Sequence, residues 1–215
     1  MNFSNVRNNA LKYLGYQGQM IDDALQSLLM ECYQELTALA DFKVTCKVFP
    51  LKQSPLTILE ANLNISYPDL CQLFSACHHV IIIGCTLGIA VDRRSKYYSH
   101  IDMTRMTVFD ALASSYLEAL CDDYEHHHFP QNRTFRFCPG YGQTPISLNH
   151  SLAQLLDSYR QIGLSVDPHD NLLPQKSMIG LIGLGNKKHH KTCKHCINLE
   201  NCYFRKRGQR CYKTD

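Results

Sequence analysis

No apolar run in the 215 residues approaches the ~18 needed to span a bilayer. The longest, Val80–Cys85 and Met178–Leu184, are far too short, which excludes a helical membrane protein. The opening Met1-Asn2-Phe3-Ser4-Asn5 lacks the basic-then-apolar form of a secretion signal, so the chain is expected to be cytoplasmic. No Walker lysine, three-glycine dinucleotide loop, Ser/His/Asp set or Cys/His pair can be picked out, and no internal repeat is present. Charge is modest at 19%, against 45% apolar residues, a balance that rules out wholesale disorder. The length suits one domain, or one domain with an appendage.

The net charge of +3 is unevenly placed. Residues 186–215 hold nine Lys or Arg and two acids, or +7, which leaves −4 on residues 1–185. A neutral-to-acidic body with a basic tail is not the pattern of a uniformly basic nucleic-acid binder. The tail alone could meet RNA, a phosphate or an acidic partner. Two regions are expected, a folded body at 1–185 and a basic Cys-rich tail at 186–215.

Eleven cysteines, an odd number, argue against a disulfide scaffold and for a reducing compartment. Seven are scattered through the body, mostly within apolar patterns where a thiol acts as a small core residue. The other four, Cys193, Cys196, Cys202 and Cys211, follow the spacing C-x2-C-x5-C-x8-C. Four thiolates so close can surround one zinc ion or hold an iron–sulfur cluster. A reduced tail without metal, or a pair of disulfides, is the plainer alternative. The segment has little apolar content of its own, so a metal would have to organise it.

Apolar residues from Ile21 to Leu39 recur at helical spacing, with Asp22 and Asp23 at the start, where the helix dipole favours acids. Phe42, Val44, Cys46 and Val48 alternate with polar residues, which predicts a half-buried strand ending at Pro50. Residues 56–65 read as a second strand, and Pro68-Asp69 opens a short helix through Cys77. His79–Cys85 is a buried strand, Thr86-Leu87-Gly88 a turn, then a short helix and a long one from about Asp102 to His126. Residues 131–143 are loop. Asn149–Tyr159 is a short helix stopping near Gly163, and Leu164–Val166 and Met178–Leu184 are strands. Strands mixed with helices, without regular βαβ alternation, predict an α+β fold with a mixed or antiparallel twisted sheet.

Gly84-Cys85-Thr86-Leu87-Gly88 lies between a strand and a helix, where backbone N–H groups can hold an anion, but it reads first as a plain turn. His126-His127-His128 do not share one helical face and read as a solvated helix end. His78-His79 and His189-His190 are not convincing ligands. Arg136-Phe137-Cys138-Pro139-Gly140-Tyr141-Gly142 sets a guanidinium beside a tight turn with exposed backbone groups and an aromatic. Arginine grips a carboxylate through two parallel hydrogen bonds. By chemistry alone the segment is either a ligand loop or a structural one.

These segments together resemble the reactivation domain of cobalamin-dependent methionine synthase, in a short free-standing form. Ala10–Tyr16 is similar to the family's opening, Ile81–Gly88 to its strand and Thr-Leu-Gly turn, and Asp110-Ala111-Leu112-Ala113 with Glu118-Ala119-Leu120 to its central helix. Arg136–Tyr141 matches its Arg-x-x-Pro-Gly-Tyr ligand loop, and Pro174–Gly180 resembles the strand that follows.

The resemblance implies a domain that binds S-adenosylmethionine and docks over a cobalamin held by a partner protein, such as a methionine synthase lacking its activation domain. One electron, from a reductase or a flavodoxin or ferredoxin donor, and a methyl group from S-adenosylmethionine then restore methylcobalamin from inert Co(II). The protein's part is positioning, so no catalytic residue is expected. By residue, Arg136 would take the methionine carboxylate, Phe137 and Cys138 would offer backbone contacts, Pro139 and Gly140 would belong to the same cofactor-binding loop, and Tyr141 would lie near the corrin. Glu118 would face the ligand's amino group or sulfonium. The family's longer N-terminal extension and its tyrosines after the last strand are missing, and so is a cobalamin-binding Asp-x-His-x-x-Gly motif. The chain would thus be accessory to a methyltransferase. The rival readings are a non-catalytic corrinoid-protein adaptor or electron-delivery module with a four-cysteine metal site, and a zinc-ribbon-like nucleic-acid binder. The acidic body counts against nucleic acid.

Overall fold

The computed structural model describes residues 2–185, 200, 202–206 and 208. The chain divides into two compact units. The first comprises Met1–Thr45, Gly84–Phe129 and Leu156–Met178, and the second Cys46–Ile83, Pro130–Leu155 and Ile179–Asp215.

The first unit is mainly helical. Helices α1 (Phe3–Tyr13), α2 (Asp23–Leu39) and α4 (Ile89–Ile101) all pack on the long α5 (Met103–His128). Their starts are chemically marked. Asn2, Asp22 and Asp102 accept the backbone N–H of Ser4, Leu25 and Arg105, respectively, each satisfying a donor that an open helix end leaves bare. Leu29, Cys32 and Leu36 form the buried stripe of α2, as the helical spacing requires. Helix α5 is buried on more than one side, through Val108, Leu112, Leu117 and Cys121, and uses Ala111, Ala113 and Ser115 where helices approach closely. The Ser115 hydroxyl is satisfied inside this core by donating to the Val6 carbonyl at 2.8 Å. A small hairpin of β5 (Ser165–Val166) and β6 (Leu172–Leu173) lies in the same unit.

The main sheet has the order β3-β2-β1-β4-β7, with β1 at Lys43–Lys52, β2 at Thr57–Ile58, β3 at Leu63–Asn64, β4 at Cys77–Thr86 and β7 at Ser177–Gly185. Strands β1–β2 and β2–β3 pair antiparallel. Along β1 and β4, Thr45 stands beside Gly84 and Gln53 donates to the Cys77 carbonyl, so these also run in opposite directions. Along β4 and β7, the Leu87 N–H meets the Lys176 carbonyl and Gly183 lies on Cys77, so this pair is antiparallel too. The α+β class with an antiparallel sheet is as expected. In the second unit α3 (Pro68–Leu73) starts at its proline and α6 (Leu148–Leu156) follows the 131–143 loop.

Several boundaries differ from the sequence expectation. Strand β1 continues through Pro50 to Lys52, because proline loses only its donor. The Pro50 carbonyl still accepts the Leu59 N–H at 3.1 Å. Residues 56–65 are not one strand but the β2–β3 hairpin, which turns at Asn62 with φ 46°. Helix α3 ends at Leu73, and Cys77 already begins β4. The helix expected at Asn149–Tyr159 is broken in two, since Asp157 sits in the left-handed region, and α7 (Ser158–Ile162) then stops at Gly163 with φ 71°. Helix α1 and strand β6 were not foreseen.

Candidate functional site

The Arg136–Tyr141 segment lies in the second unit and is fastened to β7. Thr134 N–H donates to the Gly183 carbonyl at 2.9 Å, and Gly183 N–H returns a bond to the Thr134 hydroxyl. Phe137 exchanges both backbone bonds with Leu181, at 2.9 and 2.8 Å. Strand β7 is the last of its sheet, so the loop covers an edge that would otherwise expose bare backbone groups. The Phe137 amide is therefore engaged with Leu181, and so is its carbonyl, which keeps one lone pair for another donor.

The pleat then decides what Arg136 meets. A Cβ built at Gly180 would come within 2.5 Å of Arg136 Cγ, 2.8 Å of its Cδ and 3.6 Å of Cys138 Sγ. Glycine at 180 is what lets the arginine stem cross the strand. Pro139 is buried, and Gly140 follows at φ 93°, a conformation L residues rarely adopt. Gly140 N–H donates to the Thr144 carbonyl at 3.0 Å, and Thr144 N–H to the Tyr141 carbonyl at 3.2 Å. This small closed loop holds Tyr141 outward, 65% exposed.

Residues the sequence reading did not single out complete the loop. Asp69, from the first turn of α3, accepts the Gln143 N–H at 2.6 Å. Gly142, at φ 59°, leaves room for that carboxylate, since a Cβ there would be 2.4 Å from Asp69 Oδ2. Thr144 Oγ1 and Asn149 Oδ1 are buried with no hydrogen-bond partner among the described residues. Buried polar atoms are nearly always paired, so these two stand out among the described residues. Asp69 read only as a helix opener, and no sequence signal distinguishes the two orphans from ordinary loop residues.

Glu118 lies in the first unit, half-buried on α5. Asp110, Ser114 and Glu118 are spaced by four and so share one helical face. Lys176 Nζ sits 2.7 Å from Asp110 Oδ1 and 3.0 Å from Ser114 Oγ, with its side chain only 14% exposed. Its position is set by its own backbone. Asp92 accepts the Gln175 and Lys176 N–H groups at 2.6 and 3.3 Å, and the Lys176 carbonyl accepts from Leu87. In the Thr86-Leu87-Gly88 turn, Leu87 N–H is thus engaged, and Gly88 N–H bonds the Thr86 hydroxyl at 3.0 Å. Both amides answer to the protein itself, which is the plain turn rather than an anion cradle.

The histidine run also turns inward on its own helix. The His127 and His128 rings contact the Asp123 and Tyr124 carbonyls, and His128 stacks on Tyr124 at 4.1 Å. Among the described residues no group of three or more His, Cys, Asp or Glu could hold a metal. Of the four tail cysteines Cys202 is described, half-buried just before α8 (Tyr203–Lys206), while Cys193, Cys196 and Cys211 lie outside the described residues. No described helix is long and apolar enough to cross a membrane.

The element order and sheet define an α+β fold, and it matches the fold of a methionine synthase reactivation domain. The particular likeness is to the crystal structure of the MetH reactivation domain bound to AdoHcy, with a TM-score of 0.59 over 97% of this chain and 84% of that one. The two are 13% identical, so the likeness is one of fold. No protein-family model matches the chain, and no curated protein matches it either.

Proposed function

We propose that the chain binds S-adenosylmethionine and serves as the reactivation partner of an oxidised cobalamin held by a methionine synthase, or a related corrinoid methyltransferase. The observation that carries this reading is the Arg136–Tyr141 loop, pinned along β7 in a fold otherwise seen in a domain bound to AdoHcy. The donor set suits the ligand's chemistry. Arg136 offers a fork for the amino-acid carboxylate, and Thr144 and Asn149 carry buried polar atoms with no partner among the described residues. Glu118 has the charge that an ammonium or sulfonium requires. Tyr141 presents a ring on which a flat partner can rest.

In this reading S-adenosylmethionine supplies the methyl group, the partner's cobalt accepts it, and a reductase, flavodoxin or ferredoxin supplies the electron. The chain itself orients the ligand. Lys176, held between Asp110 and Ser114, offsets the negative charge on the helix face that carries Glu118 and keeps that face ordered. Residues 1–185 form the activation-like body. The 186–215 tail, with Cys193, Cys196, Cys202 and Cys211, binds zinc or an iron–sulfur cluster. The setting is the cytoplasm.

The test is calorimetry with S-adenosylmethionine on the wild type and Arg136→Ala. Loss of a charge-assisted, two-pronged bond costs about 2–3 kcal/mol. Equal affinities overturn the assignment of Arg136. A second assay mixes the chain with a corrinoid methyltransferase in its inert state, a reductant and S-adenosylmethionine. The corrinoid spectrum should convert only when all are present.

A further inference from the structure

Two thiols in the first unit meet inside its apolar core. Cys85 closes β4 and Cys121 lies on α5, one helical turn past Glu118. Their sulfurs are 2.8 Å apart, and both side chains are buried in the same apolar core, at 1% and 0% exposure. A disulfide places its sulfurs at about 2.05 Å, so closure needs a movement of roughly 0.8 Å. Both ends are braced. Thr86, next to Cys85, bonds the Ser177 hydroxyl at 2.8 Å, and Leu87 bonds Lys176. On the other side α1, α2 and α4 pack around α5. The two thiols are held in contact, where either can donate to the other.

We propose that Cys85 and Cys121 form a reversible intramolecular disulfide when the protein meets a peroxide. One thiol is oxidised to a sulfenic acid as the peroxide O–O bond breaks and one water leaves. The second sulfur attacks that sulfenic sulfur, forms the S–S bond and releases the other water. Two thiols and one peroxide thus give one disulfide and two waters, and a dithiol reductant reverses the change. The bond ties α5, just beyond Glu118, to the strand end before the Thr86-Leu87-Gly88 turn. Burial slows the first step and shields the bond once it has formed.

The full-length reduced protein is treated with hydrogen peroxide, alkylated, digested without reduction and mapped by mass spectrometry. The expected product is one linked peptide pair joining Cys85 and Cys121, two hydrogens lighter than its separate parts and lost on adding dithiothreitol. Oxidation should also raise the thermal midpoint by about 5 °C or more, because a closed loop of this length restricts the unfolded chain. Cys85→Ala and Cys121→Ala should each abolish the linked pair and the rise. Should either variant fail to fold, the wild-type map decides alone. Recovery of Cys85 and Cys121 individually alkylated, while exposed-side thiols such as Cys46 or Cys71 are oxidised, overturns the proposal.

Discussion

Arg136 crosses β7 over Gly180, so closely that a single methyl group at 180 would overlap the arginine's Cγ and Cδ. The guanidinium can be delivered to its place only because the strand beneath has no side chain there. Gly180→Ala is therefore expected to push Arg136 aside, destabilise the fold by about 1–3 kcal/mol through overpacking, and weaken S-adenosylmethionine binding as well. Chemical denaturation and calorimetry on the same preparation check both. A stable variant with unchanged affinity would refute the dependence of Arg136 on Gly180.

The Tyr141 loop depends in turn on Gly142 and Asp69. Gly142→Ala puts a Cβ at φ 59° and into the Asp69 carboxylate, which breaks its bond to Gln143. The expected cost is about 1–3 kcal/mol from the strained backbone conformation. Asp69→Ala removes the obstacle together with the bond. The double variant should then lose less than the two single losses added together, a non-additivity that denaturation midpoints will show.

Stability should fall in alkali in a specific window. Burial pushes the Cys32 thiol from 9.0 up to about 11, Arg105 pulls it down, and Glu35, Glu31 and Asp102 add to the rise. The unfolded chain gives up this proton near 9.0 and the folded chain holds it to about 11. The stabilisation is thus fully present below pH 9 and is lost as pH rises through 11. Burial raises Cys77, Tyr98 and Tyr116 as well, so the loss is shared. Urea midpoints should be flat near neutrality and drop above about pH 9. Cys32→Ala should show a shallower drop, whatever its absolute stability.

The tail carries its own prediction. Anaerobically purified protein should hold one metal centre on Cys193, Cys196, Cys202 and Cys211. Iron with sulfide and a brown colour means a cluster, and one colourless equivalent of zinc means a structural site. Replacing Cys202 by serine should lower the metal content in either case. Four reactive thiols and no metal would show that the tail is only a basic segment.

Much of the frame was readable because it rests on local chemistry. Asp22 before an apolar stripe, Pro68 at a helix start and Gly163 at a helix end act through their immediate neighbours, and each does what its type predicts. The Arg-Phe-Cys-Pro-Gly-Tyr string was likewise visible as an arginine beside a turn. The misjudged boundaries were set by backbone conformations and strand partners that a hydrophobic pattern does not display. Pro50 stays within a strand because Leu59 supplies a donor to its carbonyl. Residues 56–65 fold back because Asn62 accepts a left-handed turn that a strand pattern does not reveal.

What the sequence determined by itself is the class of fold, the starts of α2 and α3, the stop at Gly163, the charged tail and the residue types of the Arg136–Tyr141 loop. All of these follow from periodicity, capping and composition. Only the tertiary structure decided that Arg136 rests on Gly180, that Asp69 holds the Tyr141 loop, that Lys176 sits between Asp110 and Ser114, and that Cys85 meets Cys121. These pairs are separated by 36 to 74 residues, and the chain between them has no local preference for closing such loops. Burial of apolar surface brings their elements together, and the polar and sulfur contacts are consequences of that packing.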